Sequence, residues 1–157
     1  MRTRFFDALT NREIEEYLGR SDIIFLPLGT AEMHGEMPVG CEHVLPIAFC
    51  LKMAAEVDGL VLPGLHYFYP GATAIGKGSI QVSPSVGAAY LKAICHSLLR
   101  QGFRRQVLVS AHGPAYGTSR LAGDLPGTPG SYSQGRYAQQ AHPSRKALPV
   151  TPWREWR

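Results

Sequence analysis

Apolar residues recur along this chain with two periods, and the two alternate. After Thr10-Asn11-Arg12-Glu13, the residues Ile14, Tyr17 and Leu18 fall three and four apart, the spacing of one helix face. Thr10 offers a hydroxyl to an orphan amide and Glu13 can reach back, so the segment reads as a capping box opening a helix over 11–18, with Gly19 at its end. Ile23-Ile24-Phe25-Leu26-Pro27-Leu28 then runs almost wholly apolar, as a strand does when both faces of a parallel sheet are covered. Pro27 has no N–H for a ladder and is expected where the strand leaves the sheet.

Helical spacing returns from Val44 to Asp58, where Val44, Ala48, Leu51 and Ala55 share a face and Gly59 suits the C-cap. Leu60-Val61-Leu62-Pro63 reads as a second strand. An aromatic loop over 64–71 follows, then Ser79-Ile80-Gln81-Val82 as a third strand. Ser83-Pro84 supplies an N-cap and a first-turn proline. The helix they open carries Val86, Tyr90, Ala93, Ile94, Ser97 and Leu98 on one face and ends at Gly102. Gln106 to Ala111 is the fourth strand. Helix, strand, helix, strand, strand, helix, strand predicts an α/β fold with a mostly parallel sheet.

Periodicity stops after Gly117. Residues 119–157 hold four Gly and five Pro, are rich in Ser, Gln and Arg, and have few β-branched residues. Such a segment buries too little apolar area to offset its ordering entropy. The expected organisation is therefore 1–118 as a folded part and 119–157 as an irregular tail. The break falls where a doubly wound fold would continue, so the chain is expected to be the truncated front part of a longer protein, ending in a tail foreign to it.

Composition narrows the function classes. An apolar content of 45% with 18% charged residues is that of an ordinary globular domain. The apolar runs are too short to span a bilayer, and the basic start lacks the apolar stretch of a signal peptide. Three scattered cysteines, Cys41, Cys50 and Cys95, form no redox or metal motif and fit a reducing cytoplasm. Residues 1–118 carry ten Lys/Arg and ten Asp/Glu; residues 119–157 carry six against two, so the whole excess of +4 lies in the tail. A neutral body gives no reason for nucleic-acid binding.

The candidate chemistry sits after the first strand, in Glu32-Met33-His34-Gly35-Glu36-Met37-Pro38-Val39-Gly40-Cys41-Glu42-His43. Ligands bind at the carboxyl ends of strands in open α/β sheets, and carboxylates with imidazoles suit divalent transition metals. Glu32 and His34 are two apart, so an extended backbone points both the same way. His112 ends the fourth strand, and neighbouring parallel strands would bring it beside Glu32, His34 and Glu42. Glu36 reads as a solvated loop acid and His43 as a neighbour in the first helical turn. His66 and Lys77 lie in loops that can face substrate, though plain exposure explains them equally. Tyr67, Phe68 and Tyr69 suit packing or an oligomer contact. Cys41 suits a small buried thiol, and His96 a structural or surface place.

These motifs resemble the creatininase family of metal-dependent hydrolases. The resemblance rests on Leu28-Gly29-Thr30-Ala31-Glu32-Met33-His34-Gly35, Met37-Pro38 with an acid four residues on, Gly78-Ser79-Ile80, and Val107-Leu108-Val109-Ser110-Ala111-His112-Gly113. It implies a three-layer α/β/α fold, often oligomeric, with two divalent ions, zinc or manganese. Glu32, His34, Glu42 and His112 match its metal-ligand positions. It implies hydrolysis of a small polar cyclic substrate; the loop Gly71-Ala72-Thr73-Ala74-Ile75-Gly76-Lys77-Gly78 resembles a branch that opens keto-inositol rings. Its catalytic acid–base group is not identified in this chain. Three departures stand out: Glu42 replaces the commoner Asp, Pro114 stands where creatininase has a further carboxylate, and the family continues beyond the matched stretch in a half that the tail here does not resemble. An inactive fragment and a non-catalytic polyol- or protein-binding module are the alternatives to an enzyme.

Overall fold

The computed structural model describes residues 1–113; the expected tail from residue 119 lies outside them. Three helices, α1 (Asn11–Leu18), α2 (Cys41–Glu56) and α3 (Pro84–Gln101), alternate with three strands, β1 (Ile23–Leu28), β2 (Leu60–Val61) and β3 (Arg105–Ser110). The strands form one parallel sheet in the order β2-β1-β3. Among the described residues no helix is long and apolar enough to cross a membrane.

The capping box that opens α1 is present in both halves. Arg2 and Thr10 both bond the Glu13 carboxylate, which they hold down at about 2 from the usual 4.5, the Arg2 bond being the largest cause. A depressed folded pKa means stability present above the ordinary carboxylate range and lost as pH falls through about 2. Wild type should therefore lose its melting-temperature advantage over Glu13→Gln across that acid window. A difference that persists unchanged at the bottom of it would show that the charge is not what matters.

β1 is the central strand, and its side chains alternate between two cores. Ile24, Leu26 and Leu28 meet Tyr17 of α1 and Leu91 and Leu98 of α3. Phe25 packs with Val61 against Cys50 and Ala54 of α2. Helices on both faces make three layers. Burial pushes the thiols of Cys50 and Cys95 up to about 12 and about 11, which leaves them inert core residues.

Pro27 does not mark the exit of β1 from the sheet; it pairs with Val109 inside it. In a strand, the N and O of one residue point to the same side. The Pro27 carbonyl accepts from Leu65 N at 2.9 Å, on the β2 side, and β2 has already ended at Val61. The missing N–H therefore falls where no regular ladder remains.

Two further expectations change. Residues 79–82 form no strand. Ser79 Oγ bonds Thr73 O and Met33 N, and Ile80 N donates to Ala31 O at 2.9 Å, so the segment straps another loop instead of joining the sheet. The helix faces also differ. α2 buries Pro46, Cys50 and Ala54; of its expected face Leu51 packs on the core while Val44 is exposed. α3 buries Gly87, Ala88, Leu91, Cys95 and Leu98; of its expected face Leu98 is buried and Ile94 packs on the core, while Val86 and Tyr90 are exposed. Both helices are apolar over more than one face, so the period finds the helix without choosing the buried side.

Candidate metal centre

The carboxyl ends of β1 and β3 and the N-terminus of α2 converge. After β1, Gly29 N donates to Leu65 O and Glu32 N to Val39 O, both at 2.9 Å. The chain then reverses through a turn in which Met37 N donates to His34 O. This leaves Glu32 and His34 on an extended piece of backbone, with Glu32 almost wholly buried.

α2 starts at Cys41, three residues earlier than its apolar pattern suggests, so Glu42 lies in its first turn. There the macrodipole favours a carboxylate. Close approach of this turn to β1 depends on Gly29: a Cβ there would stand 2.4 Å from His43 Cβ and 2.9 Å from Glu42 O.

One ligand atom from each of Glu32, His34 and Glu42 lies within 4.8 Å of the others. His34 spans the two acids, Nδ1 being 3.3 Å from Glu32 Oε1 and Nε2 3.3 Å from Glu42 Oε1. Yet His34 Nδ1 is buried without a hydrogen-bond partner. His112, two residues past β3 and buried, brings its Nδ1 against Glu42 Oε2 and within 3.5 Å of Glu32 Oε1.

The other nitrogen of His112 decides what this arrangement needs. Nε2 lies 2.9 Å from Tyr69 O, and a carbonyl only accepts, so Nε2 carries the proton. Nδ1 then turns a lone pair toward two carboxylates unless a positive centre sits between them. A second proton or a metal ion would serve. Burial, the largest cause, pushes the Glu42 carboxyl up and the Glu32 charge adds to this, while His112 pulls it down. A buried and a half-buried acid, an orphaned imidazole nitrogen and an oriented second imidazole fit a divalent cation in their donor chemistry.

Other residues singled out in the sequence stand apart from this cluster. Glu36 and Lys77 are exposed. His66 stacks on His43, with ring centroids 4.1 Å apart, and lines a cavity of about 420 Å³ with Tyr67, Val86 and Tyr90. In the aromatic loop, Phe68 is core and Tyr67 is exposed; Tyr69 matters through its carbonyl. The pattern missed Thr73, whose hydroxyl donates to Glu32 Oε2 at 2.6 Å. A Thr within a glycine-rich loop was its only signal.

The family model described as creatinine amidohydrolase matches residues 7–130. The creatinine amidohydrolase of Pseudomonas putida is 34% identical over 115 residues, which cover 69% of this chain and 44% of that protein. The 3-dehydro-scyllo-inosose hydrolase of Thermotoga maritima is 28% identical over 114 residues, 71% of this chain and 37% of that protein. This chain thus spans less than half the length of the curated relatives it matches. Among solved structures, a manganese creatininase superposes with a TM-score of 0.70 at 30% identity, over 77% of this chain and 49% of that one. A zinc–zinc form of a creatininase mutant gives the same TM-score at 29% identity, over 78% and 49%. With the α/β/α layers and the acid–imidazole cluster at the strand ends, these matches make the chain a member of the creatininase family.

Proposed function

We propose that this chain holds one or two divalent ions, zinc or manganese, through Glu32, His34, Glu42 and His112, and serves metal-dependent hydrolysis of a small polar cyclic substrate. The observation that carries the reading is the meeting of two carboxylates with two imidazoles, Glu32 and His112 buried and His34 and Glu42 half-buried, with one imidazole nitrogen unpartnered. The kinship supports it, since one relative is named for creatinine and another for a keto-inositol. A cyclic amide and a keto-inositol are the two substrate classes to test.

The chain's part is largely electrostatic. Glu32 and Glu42 supply negative charge, His34 and His112 neutral donors. The Tyr69 carbonyl keeps the His112 proton on the nitrogen that faces away from the carboxylates. When bound, such ions lower the pKa of a water and polarise a substrate carbonyl. The leaving group's proton must come from another side chain. A second reading is ion binding without turnover. It is favoured by the donor cluster itself, which can hold an ion without the acid–base group that turnover requires. In the same spirit we propose that residues 1–118 act as the front part of the family domain.

The test is metal content per chain after exhaustive dialysis, followed by assays on creatinine and on keto-inositols with added manganese or zinc. Retained metal with ring opening is the expected result. Metal without turnover selects the second reading, and a folded chain that takes up no ion overturns both.

A further inference from the structure

The loop over 71–80 is bonded on both sides of Glu32 and to its side chain. Ile80 N donates to Ala31 O at 2.9 Å. Met33 N donates to Ser79 Oγ at 3.0 Å, and Ser79 Oγ donates to Thr73 O at 2.7 Å. The loop reaches this close because of its glycines: Gly78 has φ +90, and a Cβ on Gly76 would stand 2.7 Å from Met33 Cβ. Thr73 ends a short 3-10 turn over Gly71–Thr73, with its hydroxyl 2.6 Å from Glu32 Oε2 and 3.0 Å from Pro70 O. A hydroxyl has one proton, and the charged, nearer acceptor takes it.

The two oxygens of Glu32 are therefore unlike. Oε2 is tied to Thr73, while Oε1 faces His34 Nδ1 at 3.3 Å and His112 Nδ1 at 3.5 Å. We infer that Thr73 is a positioning residue that holds Glu32 to the centre through Oε1 alone, so that the carboxylate is a one-oxygen ligand set before any ion arrives. This rests on the metal-binding reading and adds to it the coordination mode of one ligand and the residue that enforces it. Without the hydroxyl, the carboxylate can rotate to present both oxygens, and its buried Oε2 loses its donor. Partners that orient a metal ligand typically carry about 10–100-fold in metal affinity.

The test is titration of the full chain with manganese or zinc against a chelator of known affinity, for wild type, Thr73→Val and Thr73→Ser. Val keeps the shape and removes the hydroxyl; Ser keeps the hydroxyl. Affinity should fall about 10–100-fold in Thr73→Val and stay within about threefold of wild type in Thr73→Ser, since the donor remains. The visible absorption of the cobalt(II)-loaded protein should change in Val and not in Ser, because a second oxygen alters the coordination number. Wild-type affinity and spectrum in Thr73→Val overturn the inference and leave the metal site standing. Loss of affinity in a folded Thr73→Ser equally overturns it, which keeps the inference exposed even if the Val variant does not fold. Wild type that binds no ion overturns both the metal site and the role of Thr73.

Discussion

His34→Ala is expected to leave the chain without bound metal after dialysis, in a protein that still folds. The imidazole is the group between the two acids, 3.3 Å from an oxygen of each. Removing it deletes a direct ligand, so the loss should exceed the about 10–100-fold that follows from disturbing an outer partner. Its side chain is partly exposed, with a relative accessibility of 26%, so little packing goes with it. The apo variant should match the apo wild type in circular dichroism and melting temperature. With an ion at about a hundred times its dissociation constant, wild type gains about 2.7 kcal/mol of stability through linkage, and the variant should gain none. Metal analysis and thermal melts with and without manganese or zinc give both readouts. Full retention of metal by His34→Ala would remove His34 from the ligand set.

Leu26→Ala should do the reverse: cost the fold much and the site little. Leu26 is fully buried on the central strand, in the cluster that joins α1, β1 and α3. Truncating such a leucine typically costs about 2–5 kcal/mol through lost burial and the cavity left behind. A domain of this kind has about 5–15 kcal/mol in all, so the urea midpoint should drop steeply. The side chain points into the α1–α3 core, and Glu32 begins four residues beyond β1 on backbone held by separate bonds. The folded fraction should then bind metal with wild-type affinity. A urea midpoint close to wild type would show that this core is loose, and a fall in affinity beyond the unfolded fraction would show that the site depends on it.

Much of the fold can be read in the chain because its signals are local. Thr10 and Glu13 announce α1, Ser83 and Pro84 announce α3, and the run from Ile23 to Leu28 announces a strand covered on both faces. The adjacency of Glu32, His34, Glu42 and His112 was also legible. Parallel strands bring their carboxyl ends to one edge, and a Glu and a His two apart share a side of extended backbone. What failed was non-local. The buried side of α2 differs from its pattern because Val44 is as apolar as Cys50 or Ala54, and only the sheet selects between them; on α3, Leu98 and Ile94 of the expected face meet the core while Val86 and Tyr90 do not. Residues 79–82 have strand-like composition, yet their polar groups go to Met33, Thr73 and Ala31.

The sequence by itself determined the helices, three of the four expected strands and the α/β class, since propensity, capping and hydrophobic period are properties of neighbouring residues. Only the tertiary structure decided how the cluster of Glu32, His34, Glu42 and His112 is held. The Tyr69 carbonyl that orients His112 is a group every residue has, so no pattern marks it. The Thr73 hydroxyl that ties one oxygen of Glu32 comes from forty-one residues away. Both contacts exist because a loop is bonded across another loop, and hydrogen bonds between distant segments are fixed by the packed chain, not by the order of its residues.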